Sequence, residues 1–162
     1  MNPNINDSFW MKIAKQVAEA GTCQVKVGCV IIKKNEISGI GFVGSVKGDD
    51  HCLDKGCLLV DNYGLKGSSD TGKSCIRTVH AELNAVLRRR MNGDEETGWM
   101  IAYCTHQPCL ECTKALLAIG VRGFVYEHPY KDIYRDLYLK EVYSGKEIIR
   151  IKKWPEEKVL DL

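Results

Sequence analysis

The chain has 162 residues, of which 44% are hydrophobic and 27% are charged; this is ordinary globular usage and argues against a disordered or fibrous protein. Its 23 basic and 21 acidic residues leave a net charge of +2, so the composition does not support a nucleic-acid partner. The length predicts one hydrophobic core and a single domain over residues 1–162.

Eight cysteines are the unusual feature of the composition. The N-terminal residues show neither the basic nor the apolar segment of a secretory signal, and no run is long and apolar enough to cross a bilayer. We therefore expect a cytoplasmic protein with no membrane partner. Because disulfide frameworks belong to secreted chains, metal ligation is the favoured interpretation of several of these cysteines.

The first half of the chain predicts a helix, a hairpin and a long loop. Apolar residues at helical spacing predict a helix over residues 8–20, with Ser8 as its cap. Strands over residues 25–32 and 36–43 form a hairpin. Residues 44–75 are rich in Gly, Ser, Asp and Lys and predict a loop insertion. A loop of this length is usually functional, disordered or held by a metal.

The second half alternates regularly between helix and strand. Helical patterns cover residues 78–90, 108–119 and 132–139. Strand patterns cover residues 99–103, 121–126 and 147–151, and a charged tail follows over residues 152–162. This alternation predicts an α/β fold in which helices cover a sheet.

Two of the predicted helices begin with metal-ligating residues. His80 lies at the start of one, and Cys109 and Cys112 lie in the first turn of another. Helix N-termini favour thiolates, and two thiolates with one imidazole leave the fourth tetrahedral position of zinc to water, as in catalytic sites. Glu82 can take the water proton and pass it on if its helix points into the site. This residue set predicts hydrolytic deamination.

His-x-Glu at residues 80–82 followed by Pro-Cys-x-x-Cys at residues 108–112 is the signature of zinc nucleobase deaminases. Residues 27–30, 48–61, 75–86 and 103–116 carry a wider likeness, and from about residue 9 to about residue 130 the chain resembles the deoxycytidylate (dCMP) deaminase family. The resemblance implies a three-layer α-β-α cytidine deaminase-like fold with a central mixed five-stranded sheet.

The same resemblance implies conversion of dCMP to dUMP and ammonia. His80, Cys109 and Cys112 would bind the catalytic Zn2+, and Glu82 would carry protons between water and the cytosine ring. It also implies a homohexamer, activated by dCTP and inhibited by dTTP, with Mg2+ accompanying the triphosphate.

One segment departs from the family pattern. The family usually has Gly-Tyr-Asn-Gly after the second strand, with the asparagine placed to touch the nucleoside sugar. This chain has Val43 at the asparagine position, and valine cannot make that hydrogen bond. Two alternatives therefore stay open: a deaminase of another cytosine or modified cytosine nucleoside or nucleotide, and a nucleotide-sensing zinc protein without catalysis.

A second zinc site is expected around the long loop, because some members of the family bind a structural zinc there. The candidate ligands are Cys23, His51, Cys52, Cys57 and Cys75. Four of them would form a closed tetrahedral site that replaces hydrophobic packing of the loop. The favoured set is the four cysteines, with His51 as the substitute.

Further candidates lie near the motifs. Lys26 and Arg77 are candidate contacts for a 5′-phosphate. Tyr126, like Tyr130, follows the last of the longer strands and either borders the base pocket or serves packing. Cys29 and Cys104 lie in apolar strand contexts and are most simply buried small hydrophobic residues.

Overall fold

The computed structural model describes residues 6–61, 73–90, 99–144 and 150–155. The helices in these ranges are α1 (Asp7–Glu19), α2 (Cys52–Lys55), α3 (Ala81–Leu87), α4 (Leu110–Ala118) and α5 (Ile133–Tyr143). The strands are β1 (Gly28–Lys33), β2 (Glu36–Phe42), β3 (Gly44–Ser45), β4 (Leu59–Asp61), β5 (Lys73–Cys75), β6 (Thr78–Val79), β7 (Met100–His106), β8 (Val121–His128) and β9 (Arg150–Lys153).

Five strands form a central sheet in the order β2-β1-β7-β8-β9. The pairs β1–β2 and β1–β7 are antiparallel, and the pairs β7–β8 and β8–β9 are parallel. The sheet is therefore mixed, and the predicted α/β fold with a five-stranded mixed sheet is confirmed. In the part of the chain that the structure describes, no helix has the length and apolar character needed to cross a membrane.

Alternate residues of β1 enter two separate cores, one on each face of the sheet. Val30 and Ile32 pack against α1 through Trp10, Met11 and Ala14. On the opposite face, the core residues come from β1, α3, β7, α4 and β8, and they include Cys29, Ile31, Ala81, Ala85, Ala102, Leu116, Leu117 and Phe124. Helices therefore cover both faces, which makes three layers and leaves nearly all of β1 buried.

Helix α3 lies unusually close to the antiparallel edge of the sheet. A Cβ atom at Gly41 in β2 would lie 2.2 Å from the backbone oxygen of Ala81 and 2.3 Å from the backbone nitrogen of Ala85. Both neighbours are backbone atoms, so they cannot move aside without shifting the helix. Glycine at this position thus allows the close packing that places the start of α3 beside β2.

Several predicted boundaries were wrong. Helix α1 is capped by Asn6, whose side chain accepts a hydrogen bond from the Phe9 amide at 3.1 Å, and Ser8 lies inside the helix. Residues 25–27 precede β1, and β9 includes residues 152–153 of the predicted tail. Residues 147–149 and 156–162 lie outside the described residues.

The two segments next to the signature also differ from prediction. Thr78 and Val79 pair with β3 as β6, so the helix predicted from residue 78 begins at Ala81. The predicted loop over residues 44–75 contains β3, α2, β4 and β5, and β4 pairs with β5. These pieces are too short for periodicity to reveal them.

The contact at Gly41 predicts a specific loss of stability. Gly41→Ala should destabilise the fold by about 1 to 3 kcal/mol, because the added methyl group overpacks against the backbone of α3. Thermal unfolding followed by circular dichroism measures the change. Gly44→Ala is the matched control, since its Cβ would meet only side-chain atoms, the nearest being Thr22 Oγ1 at 3.1 Å. Equal losses in the two variants would contradict the prediction.

Candidate active site

The first candidate ligand lies where β6 turns into α3. His80 is the N-cap residue of α3, with φ −65° and ψ 151°, and its side chain makes no capping hydrogen bond. Its Nδ1 atom lies 3.6 Å from Cys109 Sγ and 3.3 Å from Cys112 Sγ. The predicted histidine and cysteines, which are about thirty residues apart in sequence, are therefore brought together.

The two cysteines lie at the N-terminus of α4, which follows β7. Cys109 is the N-cap residue rather than the second helical residue, so Pro108 precedes the helix instead of opening it as predicted. Cys112 lies in the first turn and is fully buried. Both sulfurs are thus at the positive end of the helix, which stabilises thiolates.

The three donor atoms fit a tetrahedral zinc ion. Zinc–sulfur and zinc–imidazole bond lengths give a nitrogen–sulfur edge of about 3.6 Å in a regular tetrahedron. The two nitrogen–sulfur distances of 3.6 and 3.3 Å match this edge, and all three donor atoms lie within 4.8 Å of one another. Three protein ligands leave one corner of the tetrahedron to a small molecule.

The two thiols hold their protons unequally. A hydrogen bond from the Cys112 thiol lowers the pKa of Cys109 to about 4, and the neighbouring His80 imidazole acts in the same direction. The contact with Cys109 and burial raise the pKa of the Cys112 thiol. Cys109 is therefore a thiolate at neutral pH, which is the form that binds zinc.

Glu82 lies in the first turn of α3 and is buried, with 4% of its surface exposed. Burial raises the pKa of its carboxyl group, and the charge of His80 opposes this shift. The carboxyl group also interacts with the Cys112 thiol. His80 and Glu82 are only two residues apart, yet they reach the same site because the N-terminal end of α3 faces it.

Of the two tyrosines considered from the sequence, Tyr130 lies next to the candidate ligands. Burial raises the pKa of its phenol to about 12, and the nearby charges of Cys109, Asp132, Cys112 and Glu82 act in the same direction. Its hydroxyl group therefore keeps its proton at neutral pH. Tyr126 lies within β8, paired with Cys104 of β7 and Lys153 of β9.

A second group of potential ligands comes from the connection between α1 and β1 and from the segment between β2 and β6. The sulfurs of Cys23, Cys52, Cys57 and Cys75 all lie within 4.8 Å of one another. Two of the separations are 3.8 Å, between Cys23 and Cys57, and 3.7 Å, between Cys52 and Cys75. A tetrahedron of four zinc–sulfur bonds has edges of about 3.8 Å. His51 is exposed at the start of α2 and lies outside this group.

Few apolar side chains support this segment. Among the described residues, its buried cluster consists of Cys23, Cys52 and Val43, with Val27, Cys57 and Cys75 partly buried against it. Leu58, Leu59 and Val60 are exposed. We call residues 44–61 and 73–77, together with Cys23, the cysteine lobe. Burial would raise the pKa of the Cys75 thiol, but hydrogen bonds from the backbone of Arg77 and from the Cys52 thiol outweigh it, and the pKa is lowered.

Comparison with known proteins identifies the family. Residues 4–128 match the family model described as the cytidine and deoxycytidylate deaminase zinc-binding region. The chain belongs to this deaminase family. It is 32% identical over 126 residues to ComE operon protein 2 of Bacillus subtilis, covering 77% of this chain and 60% of that protein. It is 30% identical over 123 residues to the deoxycytidylate deaminase of Mycobacterium phage D29, covering 74% and 92%.

The fold agrees with that of a solved deaminase. The structure of dCMP deaminase from the cyanophage S-TIM5, in complex with dCMP and dUMP, superposes with a TM-score of 0.61 at 24% identity, covering 94% of this chain and 98% of that one. This likeness shows a shared fold. The chain spans 60% of the Bacillus subtilis relative and 37% of the deoxycytidylate deaminase of Schizosaccharomyces pombe, to which it is 32% identical.

Three residues considered from the deaminase pattern lie outside the ligand group. Val43 is buried with Cys23 and Cys52. Lys26 donates a hydrogen bond to the backbone oxygen of Gly21. Arg77 lies three residues before His80 and pairs with Asp49, its Nη1 atom 3.0 Å from Oδ1. Lys26 and Arg77 thus have partners within the protein.

Sequence reasoning missed the residues that surround the α4 N-terminus. Asp132 is fully buried and caps α5, and Arg135 is buried beside it. Asp132 had a readable local signal, since an aspartate before a helical pattern favours capping. Its link to the zinc-ligand segment depends on a contact 22 residues away in sequence.

Proposed function

We propose that this protein is a zinc-dependent hydrolase that converts dCMP to dUMP and ammonia. The observation that carries the proposal is the meeting of His80, Cys109 and Cys112, at tetrahedral spacing, with the buried carboxyl group of Glu82. Such a site combines an incomplete metal coordination sphere with a proton carrier. Hydrolytic removal of an amine needs both.

His80, Cys109 and Cys112 would hold the zinc ion. Two thiols and one imidazole suit zinc, and the low pKa of Cys109 prepares one thiolate in advance. When bound, zinc acts as a Lewis acid that makes water a stronger nucleophile at neutral pH.

Glu82 would transfer protons during the reaction. As the water oxygen forms a bond to C4 of cytosine, the Glu82 carboxylate accepts a water proton and delivers it to the adjacent ring nitrogen. Glu82 would then move the proton of the new C4 hydroxyl to the amino group, the C4–N bond would break, and ammonia would leave a C4 carbonyl. Burial supports this role because it raises the pKa of the Glu82 carboxyl group and so makes it a stronger proton acceptor.

The remaining substrate contacts follow from position. Tyr130, with a protonated phenol beside the ligands, would donate a hydrogen bond or pack against the base. Arg77, three residues before His80, and Lys26, two residues before β1, are the cations proposed for the 5′-phosphate. Tyr126, on β8, would border the pocket from the sheet.

The family relation supports dCMP as the substrate. Relatives in Mycobacterium phage D29 and in Schizosaccharomyces pombe are named deoxycytidylate deaminases. Val43 favours a second candidate, the same reaction on another cytosine or modified cytosine nucleoside or nucleotide, because valine cannot hydrogen-bond to the sugar. A nucleotide-sensing protein without turnover is a third reading, which the retained Glu82 argues against.

We also propose a structural zinc in the cysteine lobe, bound by Cys23, Cys52, Cys57 and Cys75. Four thiol ligands close the coordination sphere, which is typical of structural rather than catalytic zinc. The thin apolar packing of the lobe supports the proposal, since a bound metal replaces a hydrophobic core in small segments. Reduced thiols at both sites fit a cytoplasmic location.

The family resemblance extends the proposal to regulation and assembly. We propose a homohexamer that responds to dCTP and dTTP, with Mg2+ accompanying the triphosphate. Apolar side chains that are about half exposed on α5, namely Ile133, Tyr134 and Leu137, support a contact between subunits.

The role of Glu82 predicts a selective loss of turnover. Glu82→Gln keeps the size of the side chain and removes its proton-carrying group, so kcat should fall by about 100-fold or more. Zinc content should stay at the wild-type level because Glu82 is not a proposed ligand. Ammonia release and metal analysis on the same sample measure both. Glu111→Gln, an exposed change in α4, is the control; turnover by Glu82→Gln at the control rate would refute the role.

A substrate panel separates the candidate functions. Ammonia release from dCMP should exceed that from CMP, deoxycytidine and dCTP if the substrate proposal is right. Activity on another member of the panel would replace the substrate and keep the chemistry. Zinc-loaded protein that binds nucleotides but releases no ammonia from any of the four would favour the sensor.

Metal analysis tests the cysteine lobe. The wild-type protein should bind about two zinc ions per chain, and Cys52→Ser should bind about one and unfold at a lower temperature. Cys29→Ala is the control, since Cys29 is a buried thiol that belongs to neither group and lies 3.5 Å from Cys104. A wild-type content of about one zinc, unchanged in Cys52→Ser, would rule the second site out.

A further inference from the structure

The peptide group that follows Cys109 is held by Asp132. The backbone nitrogen of Leu110 donates to Asp132 Oδ2 at 2.8 Å. The other carboxylate oxygen, Oδ1, accepts from the amides of Tyr134 at 3.1 Å and Arg135 at 3.0 Å. One carboxylate therefore caps its own helix, α5, and also binds the first amide of α4.

The peptide group that precedes Cys109 is held by Arg135. Its Nη1 atom donates to the backbone oxygen of Pro108 at 3.0 Å and to that of Tyr130 at 2.8 Å. Its Nε and Nη2 atoms donate to Asp136 Oδ1 at 2.9 and 2.8 Å. The guanidinium group thus spans from an exposed carboxylate to the buried backbone beside Cys109.

These two contacts together determine the conformation of Cys109. The peptide groups on either side of a residue are rigid planes, so their orientations set its φ and ψ. At Cys109 the angles are −70° and 173°. With both planes held, the Cα–Cβ bond has one direction, from which rotation about that bond brings the sulfur into contact with His80 and Cys112. Rotation of either plane would move the sulfur away from them.

The first amides of α4 need hydrogen-bond acceptors from outside the helix. An N-cap residue usually binds a first-turn amide through its own side chain, but the side chain of Cys109 makes no such bond. Its sulfur lies instead against His80. Asp132, from another helix, accepts from the Leu110 amide, which is one of the amides at the start of α4 that have no acceptor within the helix.

Both side chains are buried, so each must keep its hydrogen-bond partners. Asp132 is 0% exposed and Arg135 is 4% exposed. Buried charged groups are tolerated where hydrogen bonds satisfy them, and losing one partner leaves the other unsatisfied. Such an arrangement holds its partners in a narrow range of positions, as a precise metal site requires.

We propose that Asp132 and Arg135 are positioning residues that orient Cys109 toward the metal. Neither touches the donor atoms; each acts through a peptide group beside Cys109. The inference rests on the proposed set of metal ligands, His80, Cys109 and Cys112. Residues that orient metal ligands typically change metal affinity by about 10- to 100-fold when replaced.

The test measures zinc release from the full chain into excess 4-(2-pyridylazo)resorcinol, a coloured chelator, at neutral pH. The phase of release that is absent from His80→Ala identifies this site and separates it from the cysteine lobe. In Asp132→Asn and Arg135→Met this phase should be faster by about tenfold or more. Arg135→Lys should be slowed relative to Arg135→Met, because an ammonium group still donates to one carbonyl.

Two controls separate positioning from general destabilisation. Glu141→Gln also removes one carboxylate charge from α5, but Glu141 is exposed and lies near the end of that helix, six residues beyond Arg135. Val121→Ala removes buried core volume where β8 begins, opposite Met100 at the start of β7, and supplies a variant with reduced thermal stability. Both should release zinc within about twofold of the wild-type rate, well below the change expected for positioning residues.

The outcomes are distinct. Release from Asp132→Asn and Arg135→Met at the rate of the controls, from a wild-type protein that shows the His80-dependent phase, would overturn the positioning role alone. A wild-type protein without that phase would overturn the proposed ligand set and this inference with it. If Asp132→Asn fails to fold, the comparison of Arg135→Met with Arg135→Lys and Val121→Ala decides the question.

Discussion

The chemistry of this protein depends on two helices whose N-termini meet at the same point. His80 caps α3 and Cys109 caps α4, so an imidazole and a thiolate meet within one edge of a zinc tetrahedron. The sheet determines this meeting. Strand β7 leads directly into α4, while α3 is held close to β2 because Gly41 has no side chain. The metal geometry therefore follows from how two helices pack on a rigid sheet.

Negative charge accumulates at this point and has to be balanced. The Cys109 thiolate, the Glu82 carboxyl group and Asp132 lie within one region of low exposure. The positive ends of the helices, the His80 ring and the buried guanidinium of Arg135 oppose this charge, and a bound cation would add to them. Burial raises the pKa of the Glu82 carboxyl group, and the charge of Cys109 acts in the same direction while that of His80 opposes it.

Val43 packs against the cysteine lobe and is also the position at which the chain departs from the family pattern. Val43 follows β2, and its backbone nitrogen bonds to Val27 while its oxygen accepts from Thr22. Its side chain packs with Cys23 and Cys52. The position that differs from the family pattern is therefore part of the apolar support of the lobe, and the departure in sequence has a structural counterpart in the burial of valine.

The sequence by itself determined the ligand types and the elements that carry them. Metal-ligating residue types at two predicted helix starts, together with the deaminase signature, indicated His80, Glu82, Cys109 and Cys112, because residues at a helix start share the environment of that helix end. The mixed α/β fold was predictable for a similar reason, since helix and strand patterns alternate over long segments. Short elements such as β3 and β6 were not, because two residues carry no period.

Tertiary structure decided what depends on contacts between distant segments. Sequence offered five ligands for the cysteine lobe, and only the fold brings four sulfurs together while leaving His51 exposed. From the sequence, Asp132 could be read only as a cap of its own helix. In the structure, the second oxygen of its carboxylate accepts from Leu110 because α5 packs beside α4. Local signals reside in neighbouring residues, whereas the distance between two helices is set by the side chains packed between them.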